Sequence, residues 1–160
     1  MPKVRPVSFA LKLDTETVER AYPDEALTLP PDTSIRDVFA QLRTRNSGAV
    51  TVCEDEAIVG IFTERDALRL LAAGADIDQP ISAVMTRNPT TLQKTDSVSK
   101  AISLMSSGGY RQLPIVDEEN RPVSILKAAG ILHYLVEHFP KIIYNLPPEP
   151  HHSPQTREGA

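Results

Sequence analysis

The sequence predicts an α+β fold made of two similar subdomains that pack face to face. The first observation is an internal repeat, because the segment 59–68 recurs as 123–132 with valine, isoleucine and leucine in register. The second is the order of apolar patterns, which indicates strand, helix, strand, strand, helix in each copy. Solenoids need several short units to bury a continuous core, so a single pair of copies indicates two subdomains sharing one core.

The two copies differ at one polar pair. The apolar positions match throughout, apart from one residue inserted near 108–112 of the second copy. Where the first copy has Thr63 and Asp66, the second has Lys127 and Gly130. We therefore expect one preserved small-molecule site and one altered site.

Composition limits the classes of function. A chain of 160 residues suits one domain or two half-size subdomains. A net charge of −4 and the absence of tryptophan argue against nucleic-acid binding, which uses basic patches and aromatic platforms. Cys53 is alone and cannot form an internal disulfide, and no apolar run is long enough for a signal peptide or a membrane span. We expect a cytoplasmic protein that does not associate with membranes.

An N-terminal arm over residues 1–25 precedes the first repeat. Its apolar residues alternate with polar ones, as in a strand or an extended arm, and Asp14 could cap a brief helix. In the first repeat, Asp32 or Thr33 is placed to cap a helix with one apolar face. That face comprises Ile35, Val38, Phe39 and Leu42. The segment 46–48 ends this helix.

Two short apolar strands follow in the first repeat, at 49–52 and 58–62. Thr63 then starts a second helix, which we expect to carry Leu68 and Leu71 inward. The second repeat copies the same order.

The remaining segments lie between and after the repeats. After Pro80, one short amphipathic turn is expected, with Ile81, Val84 and Met85 as its apolar residues. The last helix is expected to end near Phe139, because Pro140 follows. The segment 145–160 is rich in proline and charge, which predicts a mobile tail.

Three segments occur in an order that is typical of one family. They are Gly60-Ile61-Phe62-Thr63-Glu64-Arg65-Asp66, the linker 84–92 and the strand Leu113-Pro114-Ile115-Val116-Asp117. Together with the repeat, they resemble a pair of CBS domains, a Bateman module, of the small stand-alone kind. The resemblance divides the chain into an arm, two CBS domains and a flexible tail, over residues 1–25, 26–85, 86–140 and 141–160.

The resemblance implies a disc-shaped module in which the sheets of the two repeats pack around a pseudo-twofold axis and leave two clefts. Such clefts hold adenosyl compounds: AMP, ADP, ATP, NAD or S-adenosylmethionine. Modules of this family bind a ligand and transmit the bound or unbound state to a partner, usually without catalysing a reaction. We therefore expect a homodimer and an effector protein as partners, with no catalytic residue, no metal site and no required cofactor.

The pair Thr63 and Asp66 is the main candidate for ligand binding. Thr63 lies where a strand becomes a helix, and the unpaired amides of a helix N-terminus attract phosphate. A carboxylate one turn later suits the two vicinal hydroxyls of a ribose. The same spacing also fits a capping box, and the two roles are compatible. The resemblance implies that Asp66 binds the ribose and that Thr63 lies near the ribose or the phosphate.

Other binding positions follow from the resemblance. Those that match a base cradle are Ala26, Leu27, Asn46, Ser47 and Gly48. Arg111 and Gln112 match phosphate ligands, although Arg111 could equally be a solvated surface residue. In the second copy, Gly130 lacks the ribose carboxylate, and Lys127 either contacts a phosphate or is solvated. We expect at most one well-formed nucleoside site per chain.

Three classes of function are compatible with these observations. The first is the ligand-sensing regulatory module. The second is an interaction protein with empty clefts, and the loss of the polar pair in the second copy favours this hypothesis somewhat. The third, a small enzyme acting on nucleotides, is disfavoured because no base, nucleophile or metal cluster accompanies Thr63. The apolar stripe of the last helix is expected to be mostly core, with part of it exposed to a second copy. It comprises Leu132, Leu135, Val136 and Phe139.

Overall fold

Two four-stranded sheets organise the protein, whose computed structural model describes residues 13–138. The strands are β1 (Asp24–Glu25), β2 (Thr28–Leu29), β3 (Ala49–Glu54), β4 (Ala57–Thr63), β5 (Thr86–Arg87), β6 (Leu92–Gln93), β7 (Gln112–Val116) and β8 (Pro122–Lys127). The α-helices are α1 (Ile35–Arg45), α2 (Glu64–Ala72), α3 (Val98–Gly108) and α4 (Ala128–His138), with 3-10 turns at Val18–Arg20 and Ile81–Ala83. This order confirms the predicted α+β fold with two β-α-β-β-α repeats.

Each sheet is completed by a strand from outside its own repeat. The first sheet has the order β2-β3-β4-β5 and the second the order β1-β8-β7-β6. Strand β5, from the linker, pairs antiparallel with β4, and β1, from the arm, pairs antiparallel with β8. The arm therefore closes the second sheet, while the linker closes the first.

Residues 73–92 connect the two repeats, and this longer linker and the arm make equivalent contacts with helix N-termini. The amide of Val98 donates to the carbonyl of Glu16 at 2.8 Å, and the amide of Ile35 donates to that of Gln79 at 3.1 Å. These bonds satisfy amides that have no partner inside their own helices. The arm thus positions the start of α3 in the second repeat, and the linker positions the start of α1 in the first repeat.

The two repeats share a core through the inner faces of their sheets. Ala49 and Ile61 of the first repeat pack with Ile125 of the second, all of them buried. At the far end of the strands, the amide of Ile58 donates to the carbonyl of Asn120 at 2.9 Å. Packing and backbone bonds therefore hold the sheets together along their length, as the predicted face-to-face arrangement requires.

Helix α1 is capped one residue later than the sequence predicted. Neither Asp32 nor Thr33 is the cap: the Ser34 hydroxyl accepts from the amide of Asp37 at 3.2 Å and donates to its carboxylate at 2.8 Å. The Thr33 hydroxyl instead donates to the carbonyl of Pro30 at 2.8 Å and closes the preceding turn. Three adjacent residues can all cap a helix, and the turn decides which of them does so.

The inward face of α2 was predicted wrongly. Leu68 and Leu71 are 68% and 57% exposed, whereas Ala67 and Leu70 pack against the core of the first repeat. Both pairs are three residues apart, so each forms a stripe along one side of the helix. Periodicity could not choose between the two stripes, since the choice depends on which side meets the sheet.

The last helix shows a similar difference. Leu132 and Val136 are 62% and 39% exposed, while Ile131 and Tyr134 are buried in the core of the second repeat. Leu135 packs against that core, so the expectation of a mostly buried stripe was wrong for Leu132 and Val136, while the expectation that part of the stripe is exposed is confirmed. Phe139, Pro140 and the predicted tail lie outside the described residues.

The predicted strand or extended arm near the N-terminus lies almost entirely outside the described residues. Its last residue, Leu13, is described, and it is helical and buried in the core of the second repeat. The brief helix expected after Asp14 is present as the 3-10 turn Val18–Arg20, but Asp14 does not cap it, because Thr17 is the N-cap residue and Asp14 is itself helical. The expected turn after Pro80 is likewise a 3-10 turn with Ile81 fully buried.

Candidate functional site

Two clefts open where the ends of the two repeats meet. The Asp66 cleft, of about 590 Å³, is lined by Ile61, the segment 63–66, Leu68, Arg69, Thr86 and the segment 108–112. The Lys127 cleft, of about 560 Å³, is lined by the segment 24–28, the segment 45–47 and Lys127. Both volumes fall in the range of small-molecule sites, roughly 300–1,000 Å³. Each cleft takes residues from both repeats.

The structure distributes the predicted binding residues between the two clefts. Thr63 and Asp66 line the Asp66 cleft together with two residues of the other repeat, Arg111 and Gln112. The expected base-cradle residues Ala26, Leu27, Asn46 and Ser47 line the Lys127 cleft instead. The pseudo-twofold packing explains this division, because it sets the helix start of one repeat beside the other repeat's helix end.

Gly48 lies at the junction of the repeats and lines neither of these clefts. Its carbonyl accepts from the amide of Glu64 at 3.1 Å and from Nε2 of Gln112 at 3.2 Å. An added Cβ would lie 2.9 Å from that Nε2, so a larger residue here would displace the Gln112 amide. Gln112 is therefore a connection between the repeats, and its Oε1 is buried with no hydrogen-bond partner in the described part of the chain.

Thr63 and Asp66 form a complete capping box at the start of α2. The Asp66 Oδ2 accepts from the amide and from the hydroxyl of Thr63, both at 2.9 Å, and the Thr63 hydroxyl accepts from the Asp66 amide at 3.4 Å. All of these bonds to the carboxylate reach Oδ2, and Oδ1 makes no hydrogen bond within residues 13–138. One carboxylate oxygen is thus fixed by the helix while the other stays available.

Strand pairing explains why this pair lies at the cleft. Thr63 is the last residue of β4 and pairs with Ala49, the first residue of β3, so the helix begins directly at the edge of the sheet. Its extended backbone, with φ −114° and ψ 166°, changes to helix at the next residue. The side chains of the first turn of α2 therefore lie where the two repeats meet.

The opposite wall of the Asp66 cleft carries an aromatic residue, Tyr110. Its ring lies against Gly108, where an added Cβ would come within 2.1 Å of a ring carbon. Its hydroxyl bonds with that of Thr90 at 3.3 Å, and the residue is 42% exposed. Gly109 supplies the left-handed turn, with φ +69°, that ends α3 and leads the chain to Tyr110.

Sequence reasoning missed several lining residues of the Asp66 cleft, among them Arg65, Arg69 and Tyr110. Arg65 and Arg69 are four apart on the helix that Thr63 starts, so helical spacing could have placed them on one side. Tyr110 follows the glycine pair at the end of α3, and no pattern in the sequence showed that its ring lines a cleft.

The Lys127 cleft is altered more than the sequence suggested. Lys127 is not simply solvated, because its Nζ lies 2.5 Å from the carboxylate of Asp24 on the arm strand β1. At Gly130, an added Cβ would lie 2.7 Å from the carbonyl oxygen of Ala21 and 3.2 Å from that of Tyr22. The arm therefore occupies the space next to the position where the first repeat has its carboxylate.

Cys53 and the histidines form no site within residues 13–138. Cys53 is buried between the sheets, and its burial raises the pKa of the thiol to about 11. In this part of the chain, no group of three or more His, Cys, Asp or Glu residues is placed to hold a metal ion. The described helices include none with the length and apolar character needed to cross a bilayer.

Comparison with known proteins identifies both halves of the chain. The family model described as CBS domain matches residues 20–73 and 81–137. The CBS domain-containing protein CBSCBSPB3 of Arabidopsis thaliana is 30% identical over 143 residues, which make up 88% of this chain and 26% of that protein. The chain thus spans about a quarter of the length of this relative.

Solved structures show the same arrangement. The CBS domain protein PAE2072 from Pyrobaculum aerophilum, complexed with AMP, is 25% identical with a TM-score of 0.67, over 76% of this chain and 98% of that one. The CBS domain pair of protein MJ0100, in complex with 5′-methylthioadenosine and S-adenosyl-L-methionine, has a TM-score of 0.70 over 77% and 98%. Its sequence identity is 23%, so that likeness concerns the fold alone.

Proposed function

Because this chain belongs to the CBS domain family, we propose that it is a regulatory module that senses an adenosyl compound in the Asp66 cleft. The geometry of Asp66 is the observation that supports this most directly. Its Oδ2 is fixed by the helix cap, and its Oδ1 makes no hydrogen bond in the described structure. A positioned carboxylate oxygen of this kind accepts from a ribose hydroxyl. The AMP complex of the similar module PAE2072 supports the class of ligand.

Thr63 and Arg111 have different roles in this proposal. The Thr63 hydroxyl is engaged with Asp66 both as donor and as acceptor, so it positions the carboxylate. Arg111 is exposed on the opposite wall and is a phosphate ligand, as planar guanidinium groups commonly are. The ligand therefore bridges the two repeats, and its binding energy favours one placement of the repeats over others.

We assign one nucleoside site to each chain. In the Lys127 cleft the cation is already paired with Asp24, and the backbone of Ala21 fills the space beside Gly130. Ala26, Leu27, Asn46 and Ser47 line this second cleft and have no role in ligand binding in the proposal. A single class of sites, with one ligand per chain, is the expected stoichiometry.

A second copy of the chain is the proposed partner that receives the signal. Leu68 of α2 and Leu132 of α4 hold equivalent positions in the two repeats, and both are more than half exposed. Apolar residues repeated on both halves of a pseudo-twofold molecule suit a symmetric dimer, in which each surface meets its own copy. Leu68 also lines the Asp66 cleft, so this residue connects ligand occupancy with the dimer surface.

Binding without catalysis is the proposed activity. The described lining of the Asp66 cleft includes no His, Cys, Ser or Lys, and the carboxylate oxygen that accepts from the Thr63 hydroxyl is itself held by the Thr63 amide in the helix cap. We therefore assign Thr63 no role as a nucleophile. Its hydroxyl is also engaged in the helix cap. An effector protein that responds to the ligand-bound state completes the proposed regulatory role.

Isothermal titration with AMP, ATP, NAD and S-adenosylmethionine tests the proposal. We expect at least one of these to bind, and Asp66→Ala to weaken that binding by about tenfold or more, because hydrogen bonds to a charged acceptor contribute about 1.5–3 kcal/mol. Asp37→Ala is the matched control, since Asp37 has the equivalent place in the cap of α1. Loss of either carboxylate lowers stability by about 1 kcal/mol, but only loss of Asp66 affects binding. Failure of all four compounds to bind would favour the interaction-protein hypothesis, whereas unchanged binding by Asp66→Ala would show that the proposed site is wrong.

A further inference from the structure

We propose that the Asp66 cleft selects anionic adenosyl ligands, the adenosine phosphates, over neutral or cationic ones such as 5′-methylthioadenosine and S-adenosylmethionine. This inference rests on the proposed function and specifies its ligand class. The charged residues that line the cleft are three cations, Arg65, Arg69 and Arg111, and two carboxylates, Glu64 and Asp66.

None of the three arginines has an ion-pair partner within residues 13–138, although other cations of the protein do. The Lys127 cleft shows the contrast, because its lysine lies 2.5 Å from the carboxylate of Asp24. In the Asp66 cleft, one oxygen of the Asp66 carboxylate is already held by the Thr63 amide and hydroxyl. Three arginines against two carboxylates therefore leave the lining of the Asp66 cleft with a net positive charge, and no ion pair within residues 13–138 holds any of the three guanidinium groups.

The arginines approach the cleft from both repeats. Arg65 and Arg69 are one helical turn apart on α2, while Arg111 follows Tyr110 on the opposite wall. All three residues are exposed, so their guanidinium groups can adjust to a ligand without first breaking an ion pair within residues 13–138. A phosphate between the walls can accept charge-assisted hydrogen bonds from more than one of them.

The candidate ligands share the adenosyl group and differ in charge. A phosphate monoester carries about 1.5–2 negative charges near neutral pH. 5′-Methylthioadenosine is neutral, and S-adenosylmethionine adds a cationic sulfonium. Recognition of ribose by Asp66 is common to all of them, whereas attraction by the arginines acts on the phosphates alone. The cleft charge therefore separates these compounds into two classes.

Titration of the full chain with 5′-methylthioadenosine, AMP, ATP and S-adenosylmethionine, at 50 and 300 mM NaCl, tests this. We expect AMP to bind at least about tenfold tighter than 5′-methylthioadenosine, ATP to bind tighter still, and S-adenosylmethionine to bind most weakly. The higher salt should weaken AMP binding about threefold or more and leave 5′-methylthioadenosine unchanged, because salt screens exposed charges.

Variants that each remove one positive charge test which arginines cause the preference for AMP. Arg65→Gln, Arg69→Gln and Arg111→Gln should each weaken AMP binding about three- to tenfold and leave 5′-methylthioadenosine binding within about twofold. Arg43→Gln is the matched control: it removes the same charge from an exposed position on α1 that does not line the Asp66 cleft. It should change neither affinity.

The outcomes separate this inference from the function on which it rests. If 5′-methylthioadenosine or S-adenosylmethionine binds as tightly as AMP, and Asp66→Ala weakens that binding, charge selection is wrong while the sensing function stands. If the arginine variants weaken all ligands equally, charge selection is also wrong. If no adenosyl compound binds, both are wrong.

Discussion

At the scale of single residues, Gly130 explains why a duplicated scaffold forms two unequal clefts. The sequence shows only that the second copy lacks a carboxylate at this position. The structure shows that carbonyl oxygens of Ala21 and Tyr22 lie 2.7 and 3.2 Å from where a Cβ would be. Glycine here permits the arm to pass close to α4, so the loss of one ligand group and the position of the arm are linked.

Replacing Gly130 with alanine tests this close approach. Alanine is the better helix former by about 1 kcal/mol, so helix propensity alone predicts a more stable protein. We expect the opposite, a loss of about 1–3 kcal/mol in the free energy of unfolding, because backbone atoms of the arm must move. Urea denaturation, monitored by circular dichroism, measures this change in the free energy of unfolding. A variant more stable than the parent would show that the arm does not lie against this glycine.

Cys53 provides a second residue-scale prediction. The thiol is 8% exposed, and burial raises its pKa to about 11. We expect alkylation by iodoacetamide at pH 8 to be at least about a hundredfold slower in the folded protein than in urea, because the thiolate is the reactive form. The unfolded thiol ionises first, near its ordinary pKa, so this group lowers stability as the pH rises above about 9. Equal rates of alkylation in both states would contradict the burial.

At the scale of elements, α2 shows the limit of hydrophobic periodicity. Ala67 and Leu70 form one apolar stripe, and Leu68 and Leu71 form another beside it, so the sequence gives two candidate core faces. A short helix on the side of a sheet can bury only one stripe. The structure buries the first and leaves the second exposed, which turns a predicted core face into a candidate surface for a partner.

A charge on the exposed stripes tests the proposed dimer. We expect Leu71→Glu or Leu132→Glu to convert a dimer into a monomer in sedimentation velocity experiments, because a buried unpaired charge at the interface costs several kcal/mol. Both side chains are more than half exposed in the chain, so its fold should be retained. Val123→Glu is the control, since Val123 is 37% exposed but lies on β8. A parent protein that is monomeric, or helix variants that remain dimeric, would exclude these faces as the interface.

At the scale of the whole molecule, each repeat depends on a segment from outside its own helices and strands. Val18 and Ala21 of the arm are fully buried in the core of the second repeat, and Ile81 of the linker is fully buried in the core of the first. The second repeat is therefore closed by residues from the other end of the described chain. We expect the two repeats to unfold together rather than one after the other.

Removing a buried side chain from the arm tests this dependence. Val18→Ala should lower the free energy of unfolding by about 1–3 kcal/mol, because it removes buried methyl groups and leaves a cavity. Val123→Ala makes the same chemical change at a partly exposed position and should cost less than about 0.5 kcal/mol. We expect a single transition in urea for both variants. Equal effects of the two variants would show that the arm adds little to the core.

The sequence by itself determined the repeat, the order of helices and strands, the α+β class and the pairing of Thr63 with Asp66. These features depend on residues within one or two helical turns of each other, or on the alternation of apolar and polar residues along a strand. The spacing of apolar residues in the sequence shows both directly. The start of α1 was predicted to within two residues, with Ser34 as the cap in place of Asp32 or Thr33, because adjacent polar residues compete for the same cap.

Only the tertiary structure decided which residues share a cleft. Because of the way the repeats pack, Arg111 lines the same cleft as Asp66, and Ala26 lines the same cleft as Lys127. The arm places the carbonyl of Ala21 beside Gly130. These contacts join residues far apart in the chain, and local patterns do not specify which side of one element meets another. The exposure of Leu68 has the same origin, since only the position of the sheet determines which stripe of the helix is buried.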